Sequence, residues 1–178
     1  MPLKPASQRL FLALWPDEPL RQALAGFIEP LVPPSTGRPV PARNLHVTLA
    51  FLGNVITERL AVVHEVVGNA VPPFVPLAFD RVAHWPKARL LCLEASTLPE
   101  AFRESVVQLH HELRQAGFSL DERPFRAHIT FVRNVNLPAG STYTREIPPF
   151  RWPVAGMALV ASKQERGGSE YRVLMHWK

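Results

Sequence analysis

The chain has 178 residues, of which 47% are apolar and 20% charged, with a formal net charge of +5 and a pI near 10.0. These values describe an ordinary globular domain that can bury about 70% of its unfolded surface. They exclude an intramolecular disulfide and a cysteine-based metal site, because Cys92 is the single cysteine.

The bulk properties also suggest where the protein works and what it contacts. No segment approaches the roughly 18 apolar residues of a membrane span. The first residues lack the long apolar stretch of a secretory signal, so we expect a cytoplasmic protein without a membrane partner. The basic balance favours a polyanion such as nucleic acid, although solubility alone would also explain it. We expect a monomer, with Cys92 buried in a strand.

Apolar periodicity divides the first half of the chain into two strands and two helices. Continuous apolar runs are typical of buried strands, and apolar residues three and four apart are typical of a helix packed on a core. Proline and glycine mark the ends of the elements. The predicted elements are a strand at 8–15, a helix with Asp17 as N-cap that ends at Pro30, Pro33 and Pro34, a loop at 33–44, a strand at 45–52, a turn at Gly53-Asn54, a helix at 57–70 and a connector at 71–76.

The second half repeats this order in outline. Its predicted elements are strands at 77–84 and 88–95, a helix opened by a capping box of Thr97 and Glu100 and stopped by Gly117, a strand at 126–133, and strands at 154–162 and 170–177. We therefore predict a single α+β domain over 1–178. It would have two pseudo-symmetric lobes, each with helices and a small antiparallel-rich sheet, and an active-site cleft between them.

A histidine and a threonine two residues apart occur twice in matching apolar context, as His46-Val47-Thr48-Leu49 and His128-Ile129-Thr130-Phe131. By chance this spacing would occur roughly 0.3 times in the chain, so the repeat is informative. Residues i and i+2 of a strand face the same side. Two such strands side by side would form one pocket with two imidazoles and two hydroxyls. A single copy would be better explained as a structural histidine with a nearby hydroxyl partner.

Two imidazoles in one pocket suit general acid–base catalysis, since histidine titrates near neutral pH. Cleavage of a cyclic phosphodiester fits such a pair: one histidine would deprotonate water and the other would protonate the leaving sugar oxygen. Thr48 and Thr130 could donate to the phosphate, and the scheme needs no metal or cofactor. Arg133 could also bind phosphate, but strict alternation puts it on the face opposite His128. It would reach the pocket only if the strand ends, twists or bulges; otherwise it is a solvated arginine at a strand end.

These motifs resemble those of the 2H phosphoesterase superfamily, and in particular its RNA 2′,3′-cyclic phosphodiesterase branch, also called 2′-5′ RNA ligase. The resemblance covers nearly the whole chain. It rests on four segments: the opening at 9–14, the first motif with its flanks at 44–53, the second at 127–133, and the tail at 159–162 with Gly168 and Tyr171. One departure is Arg126, where relatives commonly carry proline.

The resemblance implies a bilobal α+β fold with a basic cleft, and hydrolysis of RNA 2′,3′-cyclic phosphate ends to 2′-phosphates. It makes His46 the proton donor to the leaving 3′ oxygen and His128 the proton acceptor that activates water. Thr48, Thr130 and Arg133 would hold the phosphate. No cofactor or metal is implied.

Several alternatives remain open from the sequence. The same site could run in reverse and join a cyclic end to a 5′ hydroxyl, although water at about 55 M should make hydrolysis dominate. Phe11 could stack on a terminal base or could simply be a core residue. The substrate could be a small nucleotide, such as a cyclic ADP-ribose phosphate or a 2′-5′ oligonucleotide. The chain could also be a non-catalytic RNA-binding module.

Overall fold

The structure is a computed structural model that describes residues 6–33, 36–70, 75–137, 143–166 and 168–178. Predictions for the first five residues, for Pro34, for most of the connector at 71–76 and for Gly167 lie outside the described residues. Where the chain is described, no helix is both long enough and apolar enough to cross a membrane.

Nine strands and three α-helices make up the regular structure of the described residues. The strands are β1 (Ser7–Leu14), β2 (Arg38–Pro39), β3 (Val47–Ile56), β4 (Pro76–Trp85), β5 (Leu90–Glu94), β6 (His128–Arg133), β7 (Arg145–Pro153), β8 (Met157–Glu165) and β9 (Gly168–Trp177). The helices are α1 (Glu18–Ile28), α2 (Leu60–Asn69) and α3 (Glu100–Gln115).

All the strands join one antiparallel sheet in the order β7-β4-β5-β6-β3-β1-β8-β9, with the short β2 paired to β6. The sequence predicts two small sheets. Instead, the four strands β7-β4-β5-β6 and the four strands β3-β1-β8-β9 form one sheet, joined where Val47 of β3 pairs with Ile129 of β6. The two motif strands, β3 and β6, are therefore direct neighbours. The α+β class is confirmed, whereas the division into two lobes stays a prediction.

The main core lies on the face of the sheet that carries the helices. Strand β1 shows the division, because successive side chains of a strand point to opposite faces. Leu10, Leu12 and Leu14 belong to the cluster that also contains the buried residues of all three helices. Phe11 and Ala13 belong to a smaller cluster with residues of β8. A strand buried on both faces explains the continuous apolar run of β1.

The helix ends only partly follow the predictions. Asp17 caps α1 as expected, with its side chain accepting a hydrogen bond from the Leu20 amide at 3.0 Å. The predicted capping box of α3 is wrong. Its N-cap is Pro99, which has extended backbone (φ −53°, ψ 134°) and makes no side-chain cap bond. The helix begins at Glu100, so Thr97 lies two residues before the N-cap and does not cap the helix.

Two strand predictions also need correction. The turn predicted at Gly53-Asn54 lies inside β3. Leu10 pairs with Gly53 while the next residue, Phe11, pairs with Phe51, so β3 bulges there, and Gly53 adopts a φ of 71°. A glycine inside a strand marks this kind of bulge as readily as a turn.

Strand β7 was not predicted, because its prolines argue against a strand. They are tolerated because β7 is an edge strand, where a missing N–H donor leaves no neighbouring strand unpaired.

Two glycines make a matched test of the backbone. An added Cβ would meet nothing within 4 Å at either Gly53 or Gly26. Gly53→Ala should lower the free energy of unfolding by about 1–2 kcal/mol, because alanine is strained at positive φ. Gly26→Ala, in the exposed face of α1, should raise it by about 0.5–1 kcal/mol. Urea denaturation would measure both. Shifts in the same direction would contradict the bulge conformation assigned to Gly53.

Candidate active site

The two motifs present their polar members to the same side of adjacent strands. Their apolar members are buried: Val47, Leu49, Ile129 and Phe131. Their polar members are half-buried: His46, Thr48, His128 and Thr130. The predicted alternation is therefore confirmed in both copies. Because β3 and β6 are neighbours, the two polar pairs come together on one surface.

Two hydrogen bonds orient the His46 ring. Its Nδ1 lies 2.7 Å from the backbone oxygen of Asn44, and its Nε2 lies 3.0 Å from the Thr48 hydroxyl. A carbonyl oxygen can only accept, so Nδ1 carries a proton. In the neutral ring, Nε2 then accepts from the Thr48 hydroxyl. The Asn44 side chain donates to the Ser169 backbone oxygen at 2.8 Å, which ties the motif to β9.

Three aromatic rings enclose His46. Trp15 stacks on it at 5.5 Å, Phe11 lies at 5.0 Å, and Tyr171 meets it edge-on at 5.3 Å. This burial lowers the pKa of His46 to about 4, and the nearby charge of Arg133 also lowers it. His46 is therefore neutral at pH 7 in the unliganded protein. Phe11 is only 3% exposed and packs against His46; its stacking on a base stays a prediction.

His128 has a different environment. Its Nδ1 donates to the backbone oxygen of Arg126 at 2.8 Å, and its ring lies 4.4 Å from that of Trp85. Burial lowers its pKa, while Glu94 opposes part of the shift. Among the described residues no group hydrogen-bonds its Nε2. That nitrogen therefore keeps a free lone pair, whereas Nε2 of His46 is hydrogen-bonded to the Thr48 hydroxyl.

A bulge in β6 returns Arg133 to the face of the histidines. Cys92 pairs with Thr130 and Leu91 pairs with Val132, so Phe131 is an extra residue in β6. Phe131 and Val132 are consequently both buried. Arg133 lines a cavity with His46 and Thr48, and its charge lowers the pKa of both histidines. The alternation of the sequence placed Arg133 on the opposite face unless β6 bulges, and the structure has that bulge.

The first motif carries the same irregularity at the equivalent position. Leu12 pairs with Ala50 and Ala13 pairs with Thr48, which leaves Leu49 as the extra residue of β3. Phe51 therefore returns to the polar face, where it is 41% exposed. The two copies differ most at this point, since a phenyl ring stands where the second copy has a guanidinium.

Two cavities meet at Thr48 and Phe51, which line both. The first, which we call the His46 cavity, measures about 220 Å³ and is also lined by His46, Phe11, Arg9 and Arg133. The described residues lining it include two guanidinium groups and no carboxylate, so it suits an anion. The second, the His128 groove, measures about 750 Å³ and contains His128 and Trp85. Thr130 lines neither of these cavities.

Comparisons with known proteins identify the family of the chain. The family model of the 2′-5′ RNA ligase superfamily matches residues 16–166. The chain belongs to the 2′-5′ RNA ligase superfamily. The RNA 2′,3′-cyclic phosphodiesterase of Escherichia coli (strain K12) is 32% identical over 172 residues, 96% of each chain. That of Thermus thermophilus is 31% identical over 93% of this chain and 87% of its own.

Solved structures give the same result for the fold of this superfamily member. The crystal structure of E. coli LigT complexed with 3′-AMP superposes with a TM-score of 0.82 at 30% identity, and covers 97% of this chain and 98% of that one. The apo form of LigT superposes with a TM-score of 0.81 and covers 96% of both chains.

Arg126, which stands where relatives commonly carry proline, forms an ion pair with a buried carboxylate. Its guanidinium pairs with the Glu94 carboxylate at 2.5 Å and lies 4.8 Å above the Trp85 ring. Glu94 is 4% exposed, faces His128 across the β5–β6 register, and accepts from the Trp85 indole at 2.8 Å. We call Glu94, Arg126 and Trp85 the Glu94 network. Within it, the contacts of Glu94 and Arg126 with Trp85 hold the indole ring against His128.

Sequence reasoning did not connect these residues to the site. A carboxylate at the end of the apolar run 90–93 was an available signal, since buried glutamates are rare unless paired. The aromatic residues Trp15 and Trp85 gave no such signal, because a tryptophan at a strand end is usually a packing residue. Only the folded chain shows that both lie against a motif histidine.

Glu94→Gln tests the Glu94 network. The substitution keeps the shape of the side chain but removes the negative charge that raises the pKa of His128. The pKa of His128 should therefore fall further, as followed by NMR titration of the imidazole. Glu100→Gln is the matched control, because Glu100 pairs with Arg103 on the exposed surface of α3. Equal pKa shifts in the two variants would rule out a specific effect of Glu94.

Proposed function

We propose that this protein hydrolyses RNA 2′,3′-cyclic phosphate ends to 2′-phosphates, with His46 as general acid and His128 as general base. The assignment rests on one observation: each imidazole lines a cavity that Thr48 also lines, but Nε2 of His46 is hydrogen-bonded to Thr48, whereas Nε2 of His128 has no hydrogen-bond partner among the described residues. The relatives named RNA 2′,3′-cyclic phosphodiesterase, including that of Archaeoglobus fulgidus at 29% identity, support the substrate class.

His128 is suited to activate water. Its Nδ1–H is held by the Arg126 carbonyl, so the free Nε2 lone pair can take the proton from a water molecule in the His128 groove. The lowered pKa keeps the ring neutral, which a base requires. The oxygen of that water attacks phosphorus, and the bond from phosphorus to the 3′ oxygen breaks.

His46 is suited to protonate the leaving 3′ oxygen once the substrate is bound. With a pKa of about 4, only about one ring in a thousand is protonated at pH 7 without ligand. A phosphate beside the ring offsets the positive charge of Arg133 and favours the imidazolium. Substrate binding therefore increases the fraction of His46 that is protonated, and the proton on Nε2 can then pass to the leaving 3′ oxygen.

The phosphate itself would rest among cations and hydroxyls. Arg133 can bind two of its oxygens with the planar fork of a guanidinium. The Thr48 hydroxyl, now released by the charged His46, can donate to a third, and Thr130 lies on the same face of the sheet. Such donors stabilise the negative charge that builds on phosphorus oxygens during the reaction.

A further cavity supports RNA as the substrate over a free nucleotide. It measures about 530 Å³ and adjoins the His46 cavity through Arg133 and Tyr171. Its lining includes Arg38 and Arg43 as well as Glu165 and Glu170, so with Arg133 its cationic side chains outnumber its carboxylates by one. Guanidinium groups beyond the reacting phosphate can bind the preceding phosphates of an RNA chain. We therefore expect longer RNA to be hydrolysed more efficiently than a cyclic mononucleotide.

The decisive experiment is incubation with an RNA bearing a 2′,3′-cyclic end, followed by product analysis. We expect a 2′-phosphate product. His46→Ala and His128→Ala should each reduce turnover by about 10²–10⁴-fold, because each removes one proton transfer. His111→Ala, on the exposed face of α3, is the control and should retain full activity. Circular dichroism would show that the variants are folded.

Four results would contradict the proposal in different ways. A 3′-phosphate product would reverse the leaving oxygen, and equal rates for a cyclic mononucleotide and a longer RNA would refute the preference for RNA. RNA binding without cleavage would indicate a binding module. Activity should survive EDTA, with a bell-shaped dependence on pH; loss in EDTA and recovery with a divalent cation would refute the metal-free scheme.

The protonation of His46 can be tested with inorganic phosphate as the probe. Bound phosphate should raise the pKa of His46 from about 4 by at least about one unit, because it adds a negative charge beside the ring. By linkage, phosphate should bind more tightly as the pH falls from the raised pKa of His46 toward about 4, a range in which phosphate itself stays a monoanion. NMR titration of the imidazole with and without phosphate would measure the shift. A pKa that stays near 4 with phosphate bound would contradict His46 as the acid.

A further inference from the structure

The two motif strands share very little backbone pairing. Strand β3 pairs with the whole length of β1, but it meets β6 only where Val47 faces Ile129. Among the described residues, no strand lies beside β3 on this side beyond Val47, and Leu49 and Phe51 line the His128 groove there. Two proton transfers need a fixed geometry between the strands that carry the histidines. Another contact is therefore needed to hold β3 beside the groove.

Leu49 is the residue of β3 that most needs such a contact. It is the extra residue of the bulge, so it has no partner in the register with β1, and it has none in the register with β6. Leu49 is nevertheless buried, with 2% of its surface exposed. A buried backbone carbonyl without a hydrogen bond is costly, and nearly all such groups in folded proteins have a partner.

Helix α3 supplies that partner. Nε2 of His110 lies 2.7 Å from the backbone oxygen of Leu49, and it carries the proton because a carbonyl oxygen can only accept. His110 is half-buried and lines the His128 groove together with Thr48 and Leu49. A side chain from the helix layer thus gives the bulged residue the hydrogen bond that a neighbouring strand would otherwise provide.

A second contact orients the His110 ring. The phenyl ring of Phe125 meets it edge-on, with the ring centroids 6.4 Å apart and the ring planes at 87°. Phe125 also lies against Phe102, a fully buried residue of α3. Because Phe125 precedes His128 by three residues, the His110 ring lies between the first motif and the segment that leads into the second.

We propose that His110 is a positioning residue for the first motif. By holding the Leu49 carbonyl, it fixes the neighbouring Thr48 where its hydroxyl meets the His46 ring. A rotation of the backbone at Leu49 would move the Thr48 hydroxyl away from both the ring and the phosphate. His110 acts through Thr48 and exchanges no proton with the substrate. The inference rests on the proposed function.

Two amides of different reach test the hydrogen bond. The amide nitrogen of His110→Gln can take the place of Nε2, whereas that of His110→Asn is one methylene too short to reach the Leu49 oxygen. With RNA bearing a 2′,3′-cyclic end, His110→Gln should keep kcat within about twofold of wild type. His110→Asn should lower kcat about tenfold, because misplacing a catalytic group is costly. KM should stay within about twofold, because Arg133 still binds the phosphate.

A double-mutant cycle separates positioning from a general loss of structure. Thr48→Val removes the hydroxyl through which His110 acts and keeps both motif histidines. Adding His110→Asn to Thr48→Val should therefore lower kcat no further, because the two changes remove the same interaction. If His110 only stabilised the fold, His110→Asn would cause the same fold loss with threonine or valine at position 48.

Two further variants control for folding. His111→Asn makes the same change at the next residue of α3, which is exposed, and reports the effect of asparagine on the helix. It should leave kcat unchanged. His110→Leu lacks a donor but keeps apolar bulk, so it gives a second measurement if His110→Asn is unfolded at the assay temperature. Circular dichroism during heating would show which variants are folded.

The outcomes distinguish this inference from the function on which it rests. Wild-type kcat in folded His110→Asn or His110→Leu would overturn the inference. So would equal losses in His110→Gln and His110→Asn, or losses that multiply in the double-mutant cycle. A wild-type protein that does not hydrolyse the RNA would instead overturn the proposed function, and the inference with it.

Discussion

The pairing of Val47 with Ile129 is the contact on which the site depends. It is the single residue pair that connects strands β3 and β6, and through them the two four-stranded runs of the sheet. Because both partners are fully buried, the polar residues on either side of them must turn toward the opposite face. Each motif alone offers one imidazole and one hydroxyl. The junction brings the two polar pairs together on one surface, where we propose that the phosphate binds.

The two halves of that surface are similar in backbone and different in chemistry. Both motif strands take in an extra residue after the threonine, Leu49 in one and Phe131 in the other. The bulges return Phe51 and Arg133 to the face of the histidines, so the His46 cavity is lined by a phenyl ring from one motif strand and a guanidinium from the other. The two motifs therefore share a backbone conformation but differ in their side chains, and a reaction that uses one histidine as acid and the other as base needs such a difference.

Burial controls the protonation of both histidines. The aromatic rings around His46 and the Glu94 network beside His128 remove water from the imidazoles, and each ring is held by a backbone carbonyl at Nδ1. The unliganded site is consequently neutral at both imidazoles and positive at Arg133. In the proposed reaction, binding of the phosphate raises the pKa of His46, which couples the binding of the anion to the supply of the proton.

The sequence by itself determined the local features of this protein. The doubled His-x-Thr motif, its alternating burial, the cap at Asp17 and the apolar stripe of α3 all depend on residues close together in the chain, where periodicity and side-chain chemistry decide the outcome. The tertiary structure alone decided the rest: the single sheet, the edge position that admits the prolines of β7, the bulge that brings Arg133 to the site, and the contacts of Trp15 and Trp85 with the histidines. These features depend on which strand lies beside which, and in what register, and strand pairing is settled by contacts between residues far apart in the chain.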